Sequence, residues 1–143
     1  MYKREVSDNF IDIKDEKNNV IFTMKEELSA DSLIVGIAGS VQTDAVYEFE
    51  DEILAALSVC KNAVCNNPTC NRINFKNLVF DLSRVTYISS AALRSFLKYQ
   101  GIIDSCEMHM SIINPSEPVM QRLEETGYID ILDIQIQSSN PEE

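Results

Sequence analysis

The chain has 143 residues and a mass of 16.2 kDa, the size of one ordinary domain, which argues against a two-domain enzyme. Its composition is 45% hydrophobic and 24% charged, with four Gly and four Pro, which is typical of a folded protein rather than a disordered or fibrous one. A net charge of −11 repels phosphate backbones and anionic lipids. The composition therefore disfavours nucleic acid and favours a basic protein surface as the partner.

The sequence contains no stretch of the roughly 18 to 20 apolar residues that would cross a bilayer. Residues 1–8 are polar and are not followed by the apolar core of a signal peptide. We therefore expect a cytoplasmic protein without membrane insertion. Its four cysteines should then be reduced thiols rather than disulfides.

The first predicted elements are two short strands, residues 10–13 and 20–24, around a tight turn at Asn18 and Asn19, residues that tolerate positive φ. Residues 33–38 (LIVGIA) lack polar alternation, which predicts a central strand buried on both faces. Gly39 ends this strand.

The next predicted element is an amphipathic helix over residues 44–60, which either Thr43 or Asp44 can cap. Its apolar positions recur every three or four residues (Val46, Phe49, Ile53, Leu54 and Leu57), and acidic residues, Glu52 among them, occupy the other positions. Residues 61–77 are rich in Asn and carry Pro and Cys without a clear period. We expect them to form an exposed, mobile surface loop.

A second buried strand is predicted at residues 78–82 (LVFDL), followed by a short polar turn. Ser89 or Ser90 then caps a helix that buries one face, formed by Leu93, Phe96, Leu97 and Gln100. A third strand follows at residues 108–113.

The last predicted helix has Asn114 as its capping residue, Pro115 at its first position, and Gly127 as its left-handed end. Its buried stripe consists of Val119, Met120 and Leu123. An edge strand at residues 129–136 and a disordered tail at 137–143 complete the chain.

This order of elements predicts an α/β fold with a four- to five-stranded, mostly parallel or mixed sheet and helices packed on it. Residues 1–143 then form a single domain with a core at about 20–136 and an N-terminal hairpin extension at 1–19.

Residues 78–97, LVFDLSRVTYISSAALRSFL, resemble the STAS domain of bacterial anti-sigma factor antagonists. That family has a strand ending in Asp-Leu-Ser, then Asp-Ser-Ser-Gly-Leu at a helix start. Residues 108–132, MHMSIINPSEPVMQRLEETGYIDIL, resemble the family's next strand, its Pro-started helix and the Gly-containing exit. Residues 33–39 resemble its strand ending in Gly. The resemblance covers residues 20–136 through pattern and order.

The resemblance implies a phosphorylation site, because the serine that takes phosphate in the family falls on Ser90, with Ser89 as the alternative. In this chain Ser89 stands where the family has Asp, Ala91 where it has a second hydroxyl residue, and Ala92 where it has Gly. Residues 40–42 (SVQ) stand where the family often has an acidic residue.

The chemistry of a helix N-terminus is compatible with such a site, since backbone N–H groups and the helix dipole accommodate a phosphate there. Two added negative charges on a binding face would then repel an acidic partner group. Arg94, one turn on, either holds a phosphate on Ser90 or is solvated surface.

The predicted contact face combines the segment after Gly39, the turn before the helix, and the helix start. Its residues are Ser40, Gln42, Thr43, Thr86, Tyr87, Ser89, Ala91 and Arg94. The resemblance implies that the unphosphorylated form binds an anti-sigma factor, usually a serine kinase with a histidine-kinase-like ATP fold, and so frees a sigma factor.

Three cysteines, Cys60, Cys65 and Cys70, are spaced by fives, which fits neither common zinc nor plant-type iron–sulfur spacing. We expect free thiols and no metal, with a Cys65–Cys70 disulfide or redox response as the lesser alternative. His109 is the only histidine and lies in a predicted strand, where a structural or half-exposed role is expected.

The sequence thus predicts a regulatory protein-binding module without enzymatic activity or cofactor, and it leaves homodimerisation open. The first alternative is a phosphorylation-independent STAS-like scaffold, or a subunit of an assembly of the stressosome or lipid-transport type. The second is a small hydrolase that uses Ser90 or a loop cysteine. The position of His109 disfavours this second alternative.

Overall fold

The computed structural model describes residues 2–7, 10–29, 31–53, 55, 76–105 and 108–136. Its strands are β1 (Lys3–Ser7), β2 (Phe10–Lys14), β3 (Val20–Ser29), β4 (Ser32–Val41), β5 (Asn77–Ile88), β6 (His109–Ile113) and β7 (Ile134–Gln135). Its helices are α1 (residues 46–53), α2 (Ser90–Ser105) and α3 (Glu117–Thr126), and short 3-10 turns lie at Thr43–Ala45 and Tyr128–Asp130.

The strands form one mixed sheet whose spatial order follows the chain, from β1 to β7. The pairs from β1 to β4 are antiparallel, and the pairs from β4 to β7 are parallel. Each parallel pair is joined across a helix, as parallel neighbours require. The predicted α/β fold with a mixed sheet is confirmed, with seven strands where four to five were expected.

The predicted hairpin is formed by β2 and β3, with Asn18 at a φ of 71°. The Asp15 carboxylate accepts hydrogen bonds from the backbone N–H groups of Lys17 and Asn19, each at 2.9 Å. This carboxylate organises the turn in the way that short acidic side chains commonly do. The hairpin adds an antiparallel extension to the parallel half of the sheet.

The core lies on one face of the sheet, where aromatic rings from strands and helices interlock. Phe49 of α1 packs edge-on against Phe22 of β3 and Phe96 of α2, with ring centroids 6.1 and 5.7 Å apart. Phe80 of β5 lies 4.8 Å from Phe96. All four side chains are fully buried, so α1 and α2 cover the same face.

The expectation that β4 is buried on both faces is wrong. Val35 and Ile37 are buried toward the helices, whereas Ile34, Gly36 and Ala38 are only partly buried on the opposite face. Val79 in β5 is likewise only partly buried. An apolar run without polar alternation therefore does not require burial on both faces. In this central strand, only one face is packed against helices.

The polar segment after residue 82 was expected to be a turn, but β5 continues through it to Ile88. Strand β4 pairs with it throughout, with register irregularities after Gly36 and Gly39. Asp81 accepts the N–H of Ser83 at 3.0 Å beside the first irregularity. Because a bulge breaks the period of two, this part of the strand lacks regular alternation.

Helix α3 begins two residues later than expected. Ser116, not Asn114, is its N-cap residue, and a second proline, Pro118, lies in its first turn. Asn114 adopts a φ of 49°, which places it outside the helix. The predicted left-handed end at Gly127 is confirmed, with a φ of 80°.

The buried faces of the helices differ in detail from the predicted ones. Leu97, Gln100 and Met120 are only partly buried. Glu52, assigned by its spacing to the polar side of α1, is 5% exposed. The predicted edge strand at residues 129–136 is reduced to the two residues of β7.

Several predicted features lie outside the described residues. They are most of the segment 61–77, the tail 137–143, all four cysteines, and the apolar positions Leu54 and Leu57 of the first helix.

Candidate functional site

The carboxyl ends of β4 and β5 meet the start of α2 at one end of the sheet. Ser40 pairs with Tyr87 and Val41 with Ile88. The backbone N–H of Ser89 then donates to the carbonyl of Val41 at 2.9 Å. This bond ties the first residue after β5 to the end of β4, so the two predicted contact segments lie side by side.

Ser89 is the N-cap of α2. Its hydroxyl oxygen accepts the backbone N–H of Ala92 at 3.1 Å, and its carbonyl accepts the N–H of Leu93 at 3.0 Å. The residue is only 1% exposed. Its side chain therefore satisfies the helix end from inside the protein.

Ser90 is the first residue of α2 and is exposed. The first turn of the helix carries no acidic side chain, so the positive end of the helix dipole is not balanced by a carboxylate there. Ala91 is partly buried, Ala92 is buried, and Arg94 is exposed one turn further on. Ser90 is thus the accessible hydroxyl of the serine pair.

A shallow depression lies beside the helix start, lined by Ser40, Gln42, Thr43, Asp44 and Tyr87. The Gln42 side-chain amide donates to the Ser40 hydroxyl at 3.2 Å. Thr43 and Asp44, the expected capping residues, lie in the 3-10 turn that leads into α1, and Gln42 is the N-cap residue of that turn without a side-chain capping bond. Thr43 and Asp44 are both exposed, as is Thr86 at the end of β5.

Gly39 is a steric requirement of the chain path just before this depression. Its φ is 108°, and a Cβ built on it would lie 2.6 Å from the carbonyl oxygen of Ile21. Only glycine combines that backbone conformation with so close an approach. The predicted end of the apolar run at Gly39 therefore has a physical cause, although β4 itself continues to Val41.

Helix α3 contributes a residue that the sequence pattern does not reveal. The guanidinium of Arg122 lies 5.6 Å from the centre of the Tyr87 ring, a cation–π contact. Tyr87 is 41% exposed and separates the depression from a second one, which Pro118, Gln121 and Arg122 help to line. The contact depends on the packing of α3 beside β5.

Neither metal binding nor histidine-based catalysis finds support among the described residues. They contain no group of three or more His, Cys, Asp or Glu side chains that could hold a metal ion. His109 is exposed and lies 2.6 Å from Asp133. It pairs with Asn77 at the start of β5, the opposite end of that strand from Ser90.

Within the described part of the chain, no helix is both long and apolar enough to cross a membrane.

A family profile for the STAS domain matches residues 11–140, and the chain therefore belongs to the STAS domain family. Strand β1 lies before the matched range. No curated protein sequence matches the chain significantly.

Solved structures with the same fold include three that are informative. A putative anti-sigma factor antagonist from Thermotoga maritima aligns with a TM-score of 0.63 at 18% identity, covering 81% of this chain and 88% of that one. The anti-sigma factor antagonist SpoIIAA in its unphosphorylated form aligns with a TM-score of 0.60 at 11% identity, covering 81% and 89%. SLC26A9 aligns with a TM-score of 0.55 at 13% identity, covering 71% of this chain but 17% of that one. At these identities the similarity establishes the fold alone.

Proposed function

We propose that this chain is a regulatory protein-binding module of the anti-sigma factor antagonist type, which acts without catalysis. It binds an anti-sigma factor that is also a serine kinase, and phosphorylation of Ser90 switches the binding off. The observation that carries the proposal is the exposed Ser90 at the start of α2, beside a depression formed by the ends of β4 and β5.

The contact surface of the proposal is centred on Tyr87. This ring is exposed, borders both depressions, and lies next to Arg122. Tyr and Arg are, with Trp, the residue types enriched among those that dominate the binding energy of protein interfaces. Ser40, Gln42 and Thr43 supply hydroxyl and amide groups around the ring.

The proposed switch depends on the position that a phosphate on Ser90 would occupy. The first turn of α2 has no acidic residue, so the helix end tolerates the added charge and the fold is retained. The same phosphate adds roughly 1.5 to 2 negative charges to the contact surface, which opposes the approach of a partner matched to the uncharged hydroxyl.

The first experiment compares the binding of Ser90 variants to the partner that co-purifies with the chain from its native host. Ser90→Ala should retain binding. Ser90→Asp should weaken binding by about 1 to 3 kcal/mol, or roughly 5- to 150-fold. Ser29→Asp is the matched control, because Ser29 is exposed and pairs with Ser32 at the opposite end of β4.

The partner and the pattern of binding distinguish the proposal from its alternative. An ATP-binding protein that phosphorylates the chain supports the switch. Equal binding by both Ser90 variants, together with no modification of the chain, would leave the phosphorylation-independent scaffold. Equal weakening by Ser29→Asp and Ser90→Asp would contradict the location of the site.

A further inference from the structure

The sheet face opposite α1 and α2 carries a groove with an open volume of about 300 Å³. Its floor runs along β4 through Ile34, Gly36 and Ala38, all partly exposed. A Cβ built on Gly36 would meet nothing within 4 Å. The centre of this face, at Gly36, therefore has no side chain and is accessible.

One pair of oppositely charged side chains lies in register across the groove. Lys25 of β3 pairs with Gly36, and Gly36 pairs with Asp81 of β5. These three residues form one row across the sheet on the same face, with Lys25 and Asp81 two strand spacings apart, about 10 Å. Glu27 and Arg84 also line the groove, so its four charges balance within a chain of net charge −11.

We infer that this face, which we call the sheet-face groove, binds a second copy of the chain. A two-fold axis that runs along β4 in the contact plane exchanges the β3 and β5 sides of the two copies. Lys25 of each copy then lies opposite Asp81 of the other, and the two Gly36 residues face each other across the axis. In an isologous dimer the same patch of both copies forms the interface, so the patch must be complementary to itself. These charges meet that requirement.

The dimer leaves the site around Ser90 accessible. Because the axis runs parallel to β4, the β4 strands of the two copies point in the same direction. Both Tyr87 surfaces thus lie at one end of the dimer. This inference is independent of the proposed switch, since it concerns the other face of the sheet and makes no use of Ser90.

The first test is a charge exchange followed by sedimentation velocity over a concentration series. Lys25→Glu alone and Asp81→Lys alone each place like charges opposite one another and should weaken the homodimer at least about tenfold. A mixture of the two variants restores both attractive pairs and should dimerise. Lys17→Glu, an exposed residue in the β2–β3 turn, is the matched control and should dimerise normally.

The outcomes of this test are distinct. Recovery of the dimer only in the mixture supports the face and its axis. A dimer that none of the changes affects, or a wild-type chain that stays monomeric throughout the series, would overturn the inference. Circular dichroism of each variant establishes that weakened association does not reflect unfolding.

A cross-link provides a second test that does not rely on charge. Sheets packed face to face lie about 10 Å apart, too far for a direct disulfide between the two chains. In a chain whose four native cysteines are replaced by serine, Gly36→Cys should instead be cross-linked by a short bismaleimide that spans about one sheet separation, because position 36 faces its copy across the axis. Glu27→Cys, on the same face but one strand away from the axis, should not. Equal cross-linking at both positions would contradict the two-fold arrangement.

Discussion

The two adjacent serines at the start of α2 have opposite environments. Ser89 turns its hydroxyl inward onto the N–H of Ala92, whereas Ser90 is exposed. The sequence pattern admits either serine as the cap, because serine is a favoured N-cap residue and the two serines are adjacent. The structure distinguishes them through the bond from the Ser89 N–H to Val41, which fixes where the strand ends and the helix begins.

Ser89→Ala should lower the free energy of unfolding by about 1 kcal/mol, because the N–H of Ala92 loses its buried acceptor. Urea denaturation of the purified chain measures this change. Ser90→Ala serves as the control and should leave stability nearly unchanged. If Ser90→Ala were the more costly change, the assignment of the cap would be wrong.

Glu26 is a second residue whose position has energetic consequences. Burial, and then the charge of Glu52, raise the pKa of the Glu26 carboxyl above its ordinary value of 4.5. Glu52 itself is buried and accepts hydrogen bonds from Nε and Nη2 of Arg4, the second at 3.1 Å. A single arginine thus faces two acidic side chains between β1, β3 and α1.

Glu26→Gln should stabilise the chain near neutral pH. A carboxyl whose pKa is raised by folding releases its proton less readily in the folded state, so its ionisation costs stability as pH rises from the unfolded value through the folded one. The gain should vanish below about pH 4, where the carboxyl is protonated in both states. Thermal melts across this range measure the effect. Glu124→Gln, an exposed change on α3, is the matched control for the loss of one negative charge.

Among the elements, those with a regular apolar pattern were predictable from the sequence. The β2–β3 hairpin, the apolar part of β4, the first half of β5, and α2 all follow from apolar spacing and turn residues. The meeting of residues 40–43 with residues 86–91 was also predictable, because parallel neighbours end at the same edge of a sheet.

The elements that were missed depend on partners distant in sequence. All five residues of β1 are exposed, so no apolar alternation marks this strand. It joins the sheet through the backbone of β2 and through Arg4, whose partner Glu52 is 48 residues away. The Tyr87–Arg122 contact was missed for the same reason, since only the packing of α3 brings the two side chains together.

Phe96→Ala should cost about 3 to 5 kcal/mol, through lost burial and the cavity that remains. Phe96 is fully buried and contacts Phe49, Phe80 and Tyr99, with ring centroids 4.8 to 6.3 Å away. It thus joins α1, α2 and β5. Chemical denaturation measures the loss. A change of less than about 1 kcal/mol would indicate that the site collapses onto the cavity or that α2 is not held through this ring.

On the scale of the whole molecule, the sheet separates three surfaces. The helix-covered face holds the core, the opposite face carries the sheet-face groove, and the carboxyl end of the parallel strands carries Ser90 and Tyr87. This separation lets the proposed switch act on one surface without disturbing the packing that maintains the fold.

The most direct measurement is to incubate the purified full chain with Mg-ATP and the kinase that co-purifies with it, and to map the modified residue by mass spectrometry. We expect a single phosphate on Ser90, a retained fold by circular dichroism, and a phosphorylated chain that no longer binds the kinase. A phosphate on the buried Ser89 or elsewhere, or a phosphorylated chain that binds as tightly as before, would contradict this expectation.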